Sequence, residues 1–134
     1  MSTLRTNALE GVDAKNSITI VAGAGNITTT NVEQGLAKVW LHLASGAAST
    51  LSISDSLNVS SIADTNTGRY TPTYTNNMNN ATYEISLASQ RGANFPDHPT
   101  IDLMTTSTMQ MAQTNASAYV DAAIYTASIR GDLA

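Results

Sequence analysis

His42 and His98 are the only histidines of the chain, and so its best candidates for proton transfer or metal binding. His98 stands in Pro96-Asp97-His98-Pro99, which places an acid beside an imidazole on a rigid loop. Such a pair suits a metal or proton-transfer site, and equally a turn whose Asp caps local backbone N–H groups; the turn is the expectation. Nucleophilic catalysis needs a Ser or Thr oriented by a His and an acid. Hydroxyls are so frequent here that one near His98 carries no weight alone. Asp55 and Asp64 flank a strand, and Asp97 and Asp102 flank Pro99, but neither carboxylate pair has the apolar setting that acid catalysis requires. No Gly-x-Ser-x-Gly elbow, His-Glu-x-x-His pair or phosphate loop occurs, and Gly23-Ala-Gly-Asn26 is too short for a nucleotide loop. The absence of cysteine excludes disulfides and thiolate zinc sites. The expectation is a protein that is not an enzyme, with no catalytic residue, no cofactor and no metal.

Binding chemistry is better represented. Trp40, Tyr70, Tyr74 and Tyr83 have the ring faces on which sugars stack, and they are also the rings expected to fill a core that has a single Phe. Met104, Met109 and Met111 share one late segment, as core packing or as a seam between subunits. Asn26, Asn58, Asn80 and Asn115 each open an Asn-x-Ser/Thr sequon, a frequency that chance explains when Asn, Ser and Thr make up about a third of the chain.

Composition narrows the class. The 134 residues fit one domain able to bury roughly two-thirds of its unfolded surface. Charged residues are 12%, about half the usual share. The core must be assembled from Ile, Leu, Val and five Tyr, and it is lean. A sparsely charged, Thr/Asn-rich chain of this kind suits an oligomer or a part of a larger assembly. Net charge −4 and six scattered basic residues argue against nucleic acid as a partner. Met1-Ser-Thr-Leu-Arg5 lacks an apolar signal core and no segment reaches membrane-spanning length, so neither secretion nor a membrane is expected.

The elements that must position these residues read as strands. Gln34 to Leu43 alternates strictly, with Val39, Leu41 and Leu43 on one face and Lys38, Trp40 and His42 on the other. A tryptophan on the nominal outer face is covered by a second layer or kept for a partner. Residues 1–15 read as an arm or anchoring strand, followed by short extended segments at Ser17–Val21 and Ile27–Val32. The slip from odd to even apolar positions between Val59 and Ile62 predicts a bulge or strand bend at Ser60-Ser61. Gly68 closes a turn that favours positive φ. Tyr70, Pro72 and Tyr74 line one face of a strand that Pro72 assigns to an edge or a bend. Tyr83, Ile85 and Leu87 share the face of another. The segments 101–111 and 118–130 are read as extended, the second apolar on both faces, with an alanine-rich helix over Asn115–Ile129 as the alternative. Turn signals between these segments predict an all-β antiparallel sandwich, jelly-roll-like, occupying 16–134 as a single domain.

Five landmarks in order resemble a module that recurs in tail-fibre and other minor virion proteins of bacteriophages, particularly marine ones. They are Gln34-Gly-Leu-Ala-Lys-Val-Trp40, Ser56-Leu-Asn-Val-Ser-Ser-Ile-Ala-Asp64, Thr67-Gly-Arg-Tyr-Thr-Pro-Thr-Tyr-Thr75, Asn79-Asn-Ala-Thr-Tyr83 and Gly131-Asp-Leu-Ala134. The likeness covers roughly residues 16–134. It implies a non-enzymatic β-rich virion component that assembles as a homotrimer, contacts other capsid or tail proteins, and in one form recognises a glycan on the host surface. Here the module fills nearly the whole chain with no long shaft before it, which implies a short appendage, knob or capsid decoration. Outward loops are then expected at 44–50, 76–80 and 91–100.

Overall fold

Val39, Leu41 and Leu43 occupy alternate positions, and in the computed structural model all three are buried on one face of β3 (Ala37–Ser45). The structure describes residues 19–21, 29–31, 35–45, 51–90 and 98–134. The chain divides into two compact units, Met1–Leu36 and Ala37–Ala134. In the first, β1 (Thr19–Val21) and β2 (Thr29–Asn31) pair antiparallel as a sheet of their own. The arm expected over 1–15 and the Gly23–Asn26 turn lie outside the described residues.

The second unit is a β-sandwich of two antiparallel four-stranded sheets. One runs β4 (Leu51–Leu57), β3, β10 (Ile124–Arg130), β7 (Glu84–Gln90). The other runs β5 (Val59–Asn66), β6 (Arg69–Tyr74), β9 (Met109–Thr114), β8 (His98–Met104). The sandwich strands all come from residues after Leu36, so the reading that began this domain at residue 16 also takes in the separate β1–β2 hairpin. Val39, Leu41, Leu43, Tyr125, Ala127 and Ile129 of the first sheet pack against Tyr70, Tyr74, Met109 and Met111 of the second. Each Leu or Ile so buried contributes about 1.5–3 kcal/mol. Met109 and Met111 are core residues, with Met104 packed partly against them.

One residue carries the chain from the first sheet to the second. Asn58, between β4 and β5, has φ 59°, a left-handed conformation that Asn tolerates because its side chain can bond locally. Its Oδ1 accepts from Asn76 N–H at 2.7 Å and its Nδ2 donates to the Asn76 carbonyl at 3.0 Å. The bulge falls at Ser60, as expected, where the register shifts between Val59 and Ser61.

Two expectations are corrected. β6 is an interior strand, not an edge, although it contains Pro72. The ring is accommodated because the β6–β9 ladder runs only through Arg69 and Tyr70 and resumes as an isolated bridge at Thr73–Thr108, so no bond is asked of the missing N–H. The last extended segment is also shorter than 118–130, and the described residues of 37–134 contain no helix. Residues 115–123 are held as a loop by local caps. Asn115 Oδ1 accepts from the N–H groups of Ser117 and Ala118, and Asp121 Oδ1 accepts from Gly68 N–H at 2.6 Å. In β10 the outer positions Thr126 and Ser128 are half-buried and hydroxylic, so burial is complete on one face only.

The tyrosines hold both ends of the sandwich. Tyr70 and Tyr125 meet edge-on across the sheets, with ring centroids 6.0 Å apart, and Tyr74 and Tyr83 do so at 6.3 Å. Tyr125 donates to the Ala112 carbonyl and Tyr70 to Asp121 Oδ1. Tyr74 and Tyr83 share a hydroxyl bond of 3.0 Å, and Tyr83 reaches the carbonyls of Thr105 and Thr108 in the β8–β9 turn.

Gly68 is fixed from two sides. Its φ is 66°, and a Cβ there would lie 2.6 Å from the Val120 carbonyl oxygen and 2.8 Å from that of Gln113. Gly68→Ala is expected to lose at least about 2 kcal/mol in urea unfolding. Gly68→Asn is expected to lose as much, because space rather than φ decides; a mild Asn variant would show that the backbone can retreat.

Burial, before any other cause, raises the pKa of Tyr74, Tyr83 and Tyr125. An unfolded tyrosine ionises near a pKa of about 10, so above that pH the unfolded chain sheds protons that the folded chain keeps. The stability these groups contribute is full below about pH 10 and is lost as the pH rises through their folded values. Thermal melts from pH 8 to 11.5 are expected to show a falling midpoint above about pH 10, blunted in Tyr74→Phe.

Candidate functional site

Among the described residues, those weighed for catalysis lie apart except His42 and Asp55, which are cross-strand neighbours. His98 opens β8 and is exposed; its carbonyl accepts from Thr114 Oγ1, and among the described residues its imidazole meets no hydrogen-bond or ion-pair partner. Asp97 lies outside the described residues. His42 lies in β3 opposite Asp55 of β4 and Thr126 of β10, on the outer face of the other sheet. Asp64 is exposed in β5. Among the described residues no three His, Cys, Asp or Glu side chains come together in a way that could hold a metal ion.

The sugar-stacking set is dispersed too. Tyr70, Tyr74 and Tyr83 are buried, so their faces are closed to a ligand. Trp40 is half-buried on the outer face of the first sheet, in register with Leu57 on one side and Ser128 on the other. Three of the sequon asparagines cap turns. Asn58 and Asn115 do so as described above, and Asn80 Oδ1 accepts from Thr82 N–H at 2.8 Å and Oγ1 at 2.6 Å. Asn26 lies outside the described residues. The 76–80 loop is tied to the chain's end: Asn79 N–H donates to the Asp132 carbonyl and Ala134 N–H to that of Asn77.

Of the constellation that does form, only Asp102 was weighed by residue type, and as half of a carboxylate pair. Arg69 of β6, Asp102 of β8 and Tyr119 of the 115–123 loop meet on the outside of the second sheet. Arg69 Nε lies 2.9 Å from Asp102 Oδ2, in ion contact without the alignment of a hydrogen bond. The guanidinium carbon stands 4.0 Å from the Tyr119 ring centroid, and the Tyr119 hydroxyl donates to Asp102 Oδ2 at 3.5 Å. Tyr119 first, and then Asp102, raise the Arg69 pKa. Beside them Ile101, Asp102, Leu103 and Met104 line a shallow, open depression of about 250 Å³. Leu103 is 52% exposed and Tyr119 41%. The cluster joins a charge-neutral pair to a partly exposed aromatic ring and an exposed leucine. Arg69 belongs to the Thr67–Thr75 landmark, but its partners are too distant in sequence for spacing to reveal them.

Comparison of the chain with family models, curated proteins and solved structures finds no match.

One buried polar group stands apart. Gln113 is fully buried, and among the described residues neither end of its amide reaches a hydrogen-bond partner, although its backbone N–H donates to the Gly68 carbonyl at 2.8 Å. An unpaired buried amide costs about 1–3 kcal/mol. Gln113→Met, similar in length, is expected to raise the urea midpoint, consistent with a gain of about 1 kcal/mol. A lowered midpoint would mean that the amide is satisfied in solution by bound water.

Proposed function

We propose that the protein is a non-enzymatic structural component of a bacteriophage virion, a homotrimeric short appendage or capsid decoration protein anchored through residues 1–15. The observation that carries this reading is the ordered set of landmarks from Gln34 to Ala134 that resembles phage appendage modules. The physical character of the chain supports it. The core is lean in aliphatic side chains and leans on tyrosine, charge is scarce, and Leu57, Ile101, Leu103 and Tyr119 remain exposed on the sandwich unit. Surface left apolar in this way is stabilised by burial between chains.

The carbohydrate-binding alternative has less behind it, since the Tyr70 and Tyr74 rings are enclosed. A fibre tip presents its loops to a receptor, whereas a decoration protein buries its arm against capsid subunits. Light scattering on the purified protein at micromolar concentration is expected to give three times the chain mass of 14.0 kDa. Labelled antibody is expected to mark intact particles. A single-chain mass, or particles free of label, would remove the proposal.

A further inference from the structure

Asp132 has a carboxylate oxygen that has left water without finding a donor. Its Oδ1 is buried, and among the described residues no N–H or O–H group bonds to it. A negative charge so placed is costly until a proton or a cation neutralises it, and a bound ion is a standard reason for such an atom. No side chain supplies the charge. Among the described residues the ion pairs are Arg69 with Asp102 and Arg130 with Glu84, and none reaches Asp132.

The surroundings supply oxygen instead. Met78 and Leu133 form an isolated antiparallel bridge. It is flanked by Asn79 N–H donating to the Asp132 carbonyl at 2.8 Å and Ala134 N–H donating to that of Asn77 at 2.9 Å. Met78 and Leu133 pack into the core, so alternation turns Asn77, Asn79 and Asp132 to the other side. Asn79 stands directly opposite Asp132 and Asn77 lies on the diagonal, the cross-strand positions whose side chains interact. Their amides are also free. The side chains of Asn58, Asn66, Asn76, Asn80 and Asn115 are committed to turns or to one another. Those of Asn77 and Asn79 bond nothing among the described residues.

We propose that Asp132, Asn77 and Asn79 hold a calcium ion where the 76–80 loop meets residues 131–134. One carboxylate and two amide carbonyls make a hard, all-oxygen set, with water completing the roughly six to eight ligands that calcium takes. Magnesium demands a near-ideal octahedron and sheds water reluctantly, while transition metals favour nitrogen or sulfur donors, so calcium fits best. Histidine, cysteine and paired carboxylates, the groups weighed for metal above, take no part. A single charged ligand sets the affinity at the weak end for calcium sites, with Kd about 1 mM. Bound there, the ion clasps the loop to the segment that follows β10, the strand that completes the first sheet.

The test is thermal unfolding of the full chain, freed of metal with EDTA and then titrated with calcium chloride at constant ionic strength. The midpoint is expected to climb with calcium, half-maximally at about 1 mM, and to move far less with magnesium. Asp132→Asn is expected to abolish the calcium response. Because the unpaired charge goes with it, this variant is also expected to melt in EDTA no lower than the wild type. Asn77→Ala and Asn79→Ala change exposed side chains, and each is expected to raise the calcium needed severalfold. A wild-type midpoint indifferent to calcium, or an Asp132→Asn midpoint that still follows it, would overturn the site. An early melt of Asp132→Asn in EDTA would also count against it, since the carboxylate would then have a donor in the folded chain. Should that variant not fold, an unchanged calcium response in both alanine variants overturns the site by itself. The virion and trimer readings stand or fall separately from all of these outcomes.

Discussion

The sandwich depends on the need of a buried phenol for a polar partner. With a single Phe in the chain, tyrosine supplies the aromatic volume of the core, and every ring brought inside carries a hydroxyl that must be satisfied. Tyr74 and Tyr83 meet that need with each other and with the Thr105–Thr108 turn, so the β8–β9 connection, capped locally by Thr105 Oγ1 on the N–H groups of Ser107 and Thr108, is also tied to the core. The carbonyls of that turn are nearly all engaged, Thr106 by Met78 N–H and Ser107 by Tyr74 N–H. At the opposite end Tyr70 points to Asp121, which also takes the Gly68 N–H. One carboxylate thereby joins a hairpin turn to a loop far along the chain.

Strand order makes these contacts a condition of completeness. β10, the last strand, lies between β3 and β7, and β9 lies between β6 and β8. Neither sheet closes until the C-terminal third of the chain is in place, and long-range pairing of this sort is slow to form. The end of the chain is then secured by the Met78–Leu133 bridge, where Gly131 passes with only 3.0 Å between a would-be Cβ and both Met78 and Tyr83. A side chain at Gly68 would run into backbone, whereas at Gly131 it would press on Met78 and Tyr83 and meet an unfavourable φ of 155°.

Sequence reading reached what depends on local alternation. The inward Val39, Leu41 and Leu43, the shared face of Ile85 and Leu87, the bulge at Ser60 and the left-handed Gly68 follow from period two and turn chemistry. It failed where a distant partner decides. Pro72 pointed to an edge because the gap in the β6–β9 ladder is made by the neighbouring strand, not by the proline's own segment. The alternation over 118–123 was genuine but was overridden by the Asp121 bond to Gly68. The Arg69–Asp102–Tyr119 cluster left no local signature, since its members come from two strands and a loop brought together only by the fold.

The same constraint shapes the outside of the molecule. Most side-chain oxygens of the turns are committed inward: Asn58, Asn80, Asn115 and Asp121 cap backbone, and Thr105 bonds Thr108. The Gln110 amide is likewise shared between Thr65 and Thr71 on the second sheet's outer face. Polar groups already satisfied within a chain gain little by turning to a partner. Among the described residues the sandwich still exposes apolar area at Leu57, Leu103 and Tyr119, two ion pairs, and a few single charges such as Asp64. On the virion reading proposed above, that apolar area is what fixed neighbours at high local concentration would cover, whereas a dilute charged ligand would find few free charges to steer it.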